Sequence, residues 1–275
     1  MMISILIFLA SVCVVYKIFN LIRGSRPSSL YERWNAHIKK HDPSFQSLSA
    51  NSWYISGDSV GIIGRKMTVF RLANNDLVLH SPMALSEDLM DQLESFGTVK
   101  YIIIPPLHTM DAEVYQSRYP FASFICTSGA ERKFKRTLKV TFDIVITQSS
   151  FSVSSELSAV SPVYTPREMV WMFKDPSDET SVAVVTDIVF NIPLEQAKGF
   201  GGWMQKKMGS VGFFGVSRIG RFFLGKNLKY YVKMFETMAV SPPDFFIMSH
   251  GNILRNKEQV KECLEKEVAR LSRLL

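Results

Sequence analysis

Cysteine is scarce in this sequence of 275 residues: Cys13, Cys126 and Cys263 stand far apart, with no CxxC pair and no Cys/His cluster. That excludes a disulfide framework and a thiolate zinc site, and it suits a reducing compartment. No Asn-x-Ser/Thr sequon occurs, and no internal repeat is visible. Charged side chains are missing from residues 1–16, MMISILIFLASVCVVY, and acidic ones from residues 196–235. What is present is ordinary for a globular chain, with 47% apolar and 21% charged residues, which excludes a disordered protein. The length is enough for one sizeable core. A formal charge of +7 and a pI near 9.2 favour anionic partners without specifying a fold.

The uncharged start continues, interrupted by Lys17, to Ile22. A helix over 1–22 would be about 33 Å long and would cross a hydrocarbon core of about 30 Å. A secretory signal would begin with a basic region, which is absent here. Lys17, Arg23 and Arg26 lie on the C-terminal side of the run. The positive-inside bias therefore predicts a single-pass membrane protein whose C-terminal body faces the cytosol. Residues 23–50 read as a linker, GSRPSS, followed by a short amphipathic helix, LYERWNAHIKKH. His37 and His41 share one face of that helix, but no third ligand stands near them in sequence.

Beyond residue 50 the pattern alternates between strands and helices. Strand-like runs at 67–72 and 77–80 flank the turn Asn74-Asn75-Asp76. Helical spacing covers 85–96, ending before Gly97, and IIIPP marks a buried strand ending at two prolines. A helix over 111–118, a strand at 124–127 and a basic helix follow. Strands are expected at 143–147, 151–164, 169–173, 181–191 and 245–251. A last helix begins near Lys257, with Asn256 and Gln259 as a capping box. Hairpins first, then strands interleaved with helices, predict a layered α/β domain over 51–275.

Four polar residues fall at the ends of apolar strands: His80 in LVLHSP, His108 in IIIPPLH, Asp187 in VAVVTD and His250 in FFIMSH. Ligand sites in open α/β sheets gather beyond the carboxyl ends of strands. Any one of the four can be a cap or a satisfied core residue. Together, imidazoles and a carboxylate make the natural ligand set for one zinc or iron ion.

The phrases RKMTVFRL, LVLHSP, YIIIPP followed by His, TDIVFN and MSHGN resemble motifs of the metallo-β-lactamase superfold, in particular an uncharacterised family within it, over roughly residues 53–255. The resemblance implies a four-layer αββα sandwich. It also implies that His108 belongs to the metal loop, that Asp187 is the metal-bridging aspartate and that His250 is the late histidine ligand. His80 stands near a position where standard members carry an aspartate. The familiar H-x-H-x-D-H motif is broken. With His108 at its first position, Met110, Ala112 and Glu113 take the others; with His108 at its second histidine, Pro106, Met110 and Asp111 do. Asp111 misses the aspartate by one residue either way, so a single ion is expected rather than two.

A rival motif, Gly57-Asp58-Ser59-Val60-Gly61, matches the nucleophile elbow G-x-S-x-G, but IIGRKMTVFRL after it has no helical period. Residues 196–235 interleave eight lysines and arginines with nine aromatics and eight glycines. This segment either packs its rings in the core and solvates its lysines, or it touches lipid headgroups, as a lid over the site. Nucleic acid is the partner this segment favours least.

Two functions remain open. One is a membrane-anchored mononuclear metallohydrolase of a small or lipid-like ester. In it His108, Asp187 and His250 are ligands, His80 is an auxiliary ligand or orienting group, and Asp187 and His250 are the catalytic residues. The other is a metal-free, non-catalytic binding or scaffold protein at the membrane.

Overall fold

Seven strands pair in chain order into a first sheet: β1 (Gln46–Ser49), β2 (Ser52–Ser59), β3 (Ile63–Arg71), β4 (Asp76–His80), β5 (Thr98–Ile103), β6 (Ser123–Thr127) and β7 (Ile144–Ile146). The computed structural model that shows this describes residues 29–275 except 60–62, 165 and 225–226. Strands β1 to β4 are antiparallel hairpins, whereas β4 to β7 are parallel. Parallel neighbours need crossover connections. Helices α2 (Glu87–Ser95), α3 (Ala112–Arg118) and α4 (Ser128–Thr137) supply them. Ahead of the sheet, α1 (Leu30–His37) starts with a Ser29/Glu32 capping box.

The second sheet has the order β15-β14-β11-β10-β9-β8. Its members are β8 (Ser150–Ser152), β9 (Leu157–Val160), β10 (Val170–Lys174), β11 (Ser181–Val185), β14 (Phe245–Met248) and β15 (Leu254–Arg255). Only β11 and β14 run parallel. A small ribbon pairs β12 (Phe190–Asn191) with β13 (Phe214–Gly215). The rest is helical: α5 (Gly199–Met208), α6 (Arg218–Leu224), α7 (Leu228–Val240) and α8 (Lys257–Ser272).

Strand alternation sorts the core into three apolar layers. Leu77 and Leu79 point to the outer face of the first sheet, with Leu89, Tyr115 and Phe134 from its helices. Val78 points the other way and meets Trp171, Val182 and Ile247 between the sheets. Ala183, Val185 and Phe246 face outward from the second sheet onto Val232, Phe235, Val260 and Leu264. The order is therefore helices, sheet, sheet, helices, as expected. Trp34 of α1 is buried in the outer layer and donates its indole N–H to the Leu85 carbonyl, so the packed body begins at α1, ahead of residue 51.

Some elements depart from the sequence pattern. The strand expected at 151–164 is the hairpin β8–β9, turned where the Ser154 hydroxyl accepts the N–H groups of Glu156 and Leu157. The strand expected at 181–191 stops at Val185, because the Glu168 carboxylate takes the N–H groups of Thr186 and Asp187 that a ladder would use. In the basic segment, Tyr231, Val232 and Phe235 are core, while Phe200, Trp203, Phe222 and Tyr230 are exposed. The expected anchor at 1–22 lies outside the described residues; among those described, no helix is long and apolar enough to cross a membrane.

His80 ends β4 opposite Thr68 and Ile103, and alternation places it with Val78 in the layer between the sheets, 6.4 Å from the Trp171 ring. Burial pushes its pKa down to about 3 from 6.5, and its Nδ1 has no hydrogen-bond partner. The folded chain thus binds fewer protons than the unfolded chain between those two values. Stability contributed by neutral His80 is complete above pH 6.5 and is lost as pH falls toward 3, by at most about 1.4 kcal/mol per pH unit. A His80→Gln chain should lose visibly less stability than the parent between pH 7 and pH 4.5 in urea titrations. The loops joining the sheets at the opposite end suggest a second test. Buried Asp175 accepts both the backbone N–H and the side-chain amide of Asn51, each at 2.7 Å. Asp175→Ala leaves those donors without an acceptor and should cost roughly 2–4 kcal/mol by the same measurement.

Candidate metal centre

Parallel pairing brings two remote residues side by side. Val185 of β11 is in register with Met248 of β14, so Asp187 and His250, each two residues further on, leave the same end of the sheet together. In the first sheet β4 and β5 are also parallel, with His80 opposite Ile103, and the chain beyond them carries Ser81 and His108 to the common edge. Antiparallel β3 begins at that edge and contributes the Gly64 carbonyl.

His108, Asp187 and His250 converge there, with one ligand atom from each lying within 4.8 Å of the others. The two Nε2 atoms are 3.2 Å apart. Asp187 places Oδ1 3.3 Å from His250 Nε2 and Oδ2 3.8 Å from His108 Nε2. Both histidines are buried and Asp187 is partly open. The Phe190 ring stacks on His250 with centroids 5.7 Å apart.

The surrounding bonds fix what these atoms offer. His250 Nδ1 lies 2.7 Å from the Gly64 carbonyl oxygen, which can only accept, so Nδ1 carries a proton and Nε2 is the atom turned to the shared point. His108 Nδ1 bonds the Ser81 hydroxyl at 2.6 Å, leaving its Nε2 toward the same point. Ser81 has φ +57°, a left-handed conformation uncommon for serine. Burial drives the His108 pKa well below 6.5, against the pull of Asp187. For Asp187, burial opposes charge, but His108 and His250 outweigh it and hold the carboxyl below its usual value. Behind Asp187, burial and the Asp187 charge push Glu168 up to about 8. Two imidazole Nε2 atoms and a carboxylate around one point make a donor set that suits a divalent metal ion.

The other candidates lie elsewhere. His80 does not join the converging group; the orienting contact expected of it is made by the next residue, Ser81. Asp111 is also outside: its carboxylate binds the guanidinium of buried Arg65 and, at 2.8 Å, His37 Nδ1. The helix expected to carry both His37 and His41 ends at His37; His41 instead bridges to Gly57 and bonds the Asp42 carbonyl, so the two share no helix face. Ser59 ends β2 and pairs across a hairpin with Ile63, which is not the strand–turn–helix of a nucleophile elbow. Ser81, Glu168, Arg65 and the Gly64 carbonyl were not among the candidates. Ser81 alone had a local signal, in standing directly after the strand-end histidine.

No protein-family model and no curated protein matches this chain. Solved structures do. The metallo-β-lactamase from Hirschia baltica is 14% identical and superposes with a TM-score of 0.53 over 82% of this chain and 97% of its own. The mono-zinc form of the metallo-β-lactamase FIM-1 from Pseudomonas aeruginosa is 11% identical, with a TM-score of 0.51 over 84% and 98%. Rubredoxin oxygen:oxidoreductase from Desulfovibrio gigas is 13% identical, with a TM-score of 0.51 over 83% of this chain and 62% of its own. Two sheets packed face to face between helices, with a His–Asp–His cluster at their common edge, agree with these likenesses: the chain has the metallo-β-lactamase fold.

Proposed function

We propose that this chain is a mononuclear metallohydrolase of a small ester, with one zinc or iron ion held by His108, Asp187 and His250. The observation that carries the reading is the convergence of two imidazole nitrogens and one carboxylate, with each imidazole's Nδ1 and the Asp187 backbone N–H engaged in orienting bonds. When bound, the ion supplies a Lewis acid that lowers the pKa of water toward neutrality. The chain does the rest. Gly64 and Ser81 hold the two imidazole rings with Nε2 turned inward, and Glu168 holds the Asp187 backbone through its N–H. Phe190 covers one face of His250 and keeps solvent from it. Three protein donors leave a coordination position for substrate.

The second reading, a metal-free scaffold, is favoured by the broken H-x-H-x-D-H stretch and by the engagement of Asp111 with Arg65. Metal analysis of the full chain separates the two. Stoichiometric zinc or iron, lost in an Asp187→Ala/His250→Ala double variant, is expected; no metal in either protein returns the chain to the scaffold reading. Ser81→Ala, which frees the His108 ring, should weaken metal affinity roughly 10- to 100-fold.

Membrane attachment belongs to the same proposal: residues 1–22 as the anchor, the body on the cytosolic side and the basic aromatic segment against headgroups. In support, Phe200 and Trp203 stack on each other while 65% and 49% exposed, and Lys207 lies over the Trp203 ring. Interfacial aromatics and lysines combine in this way. With the full chain in vesicles of phosphatidylcholine and phosphatidylserine, brominated lipids should quench tryptophan fluorescence, and Trp203→Phe should abolish most of that quenching. Unchanged quenching in the variant would assign it to another tryptophan and remove this contact.

A further inference from the structure

A cavity of about 490 Å³ opens beside the His–Asp–His cluster, between β3 and the loop that follows His250. That volume is in the range of small-molecule sites. Its wall adjoins the cluster at two points. Gly64, whose carbonyl orients His250, lines it, as does Gly251, the residue after His250.

The lining is cationic and amidic, with no aspartate or glutamate in it. Lys66 is only 9% exposed, and its ammonium donates to the Gly251 carbonyl while making no ion pair among the described residues. Asp42 is the one carboxylate that draws on its charge, and burial outweighs it, lowering the Lys66 pKa to about 8. Arg255 reaches the Tyr54 hydroxyl at 3.0 Å and likewise has no carboxylate partner among the described residues. Gln196, Gln205 and Asn252 complete the polar wall, with Gln196 Nε2 donating to Asn252 Oδ1 at 3.1 Å. Beneath them, the guanidinium of Arg65 is neutralised by Asp111 on one side, while its Nε and Nη1 meet no acceptor. Buried cations are ordinarily paired. Here the lysine lacks its counter-charge and faces a cavity.

We infer that this cavity binds the oxyanion end, phosphoryl or carboxylate, of a small molecule. Placing the bond to be hydrolysed at His108, Asp187 and His250 rests on the metallohydrolase reading; anion binding itself does not. An ammonium, a guanidinium and amide donors lining one cavity suit a compact anion better than a neutral or cationic group of the same size. The concave, walled shape suits a small molecule rather than a macromolecular surface.

Four probes of one ring size test this by calorimetry on the full chain in detergent: phenyl phosphate, benzoate, benzyl alcohol and benzylamine. The chain is first stripped of metal by chelation. Saturable binding of one or both anions is expected, with no binding of the alcohol or the amine. Arg255→Met and Lys66→Met should each weaken the bound anion tenfold or more, while Lys66→Arg retains most of the affinity. Because Arg255 is on the surface, its variant keeps the test sound if Lys66→Met fails to fold. The Asp187→Ala chain should still bind the anion, so the cavity can stand where the metal reading falls. The inference is overturned if the anions bind no better than benzyl alcohol. It is also overturned if their affinity is unchanged in Arg255→Met, or if they bind only to metal-loaded chain, in which case the ion and not the cavity is their site.

Discussion

Two imidazoles and a carboxylate converge on one point at the common edge of two sheets, each drawn from a remote part of the chain. Everything near that edge serves to keep them there. The backbone carbonyl of Gly64, the hydroxyl of Ser81 and the carboxylate of Glu168 each hold one member of the cluster from behind. His250 Nε2 and an Asp187 oxygen stand 3.3 Å apart as a result. Buried groups of this kind persist only in a rigid setting, and two packed sheets provide one.

A second charged arrangement stands next to the first. The pairing of Asp111 with Arg65 and His37 lies in the loop that holds His108, three residues beyond it. A guanidinium is permanently charged, so this part of the edge already has its cation. That is the physical reason a carboxylate one position out of register does not join the cluster: its charge is satisfied by a neighbour on β3.

Much of this was legible in the sequence, and for specific reasons. Strands buried on both faces read as apolar runs, and polar residues terminating them stand out, which is why His108, Asp187 and His250 could be grouped before any geometry was known. A layered α/β domain followed from the order of hairpins and helices, and the four layers from the family resemblance. His80 shows the limit. A residue at the end of a strand faces one side or the other according to parity, and His80 has the parity of Val78, which turns it into the layer between the sheets. Glu168 and Arg65 left no local trace because their importance comes from partners 19 and 46 residues away. The strand at 181–191 was read too long for the same reason, since a side chain from elsewhere replaces the ladder beyond Val185.

Ser81 combines a function with a backbone it does not prefer. A left-handed serine is strained by on the order of 1 kcal/mol, which glycine or asparagine would relieve. Yet glycine has no hydroxyl for His108, and asparagine presents an amide where a hydroxyl now fits. Selection for heat resistance alone would therefore drift away from serine here, and selection for the site would hold it. This residue marks where the two demands on the chain pull in opposite directions.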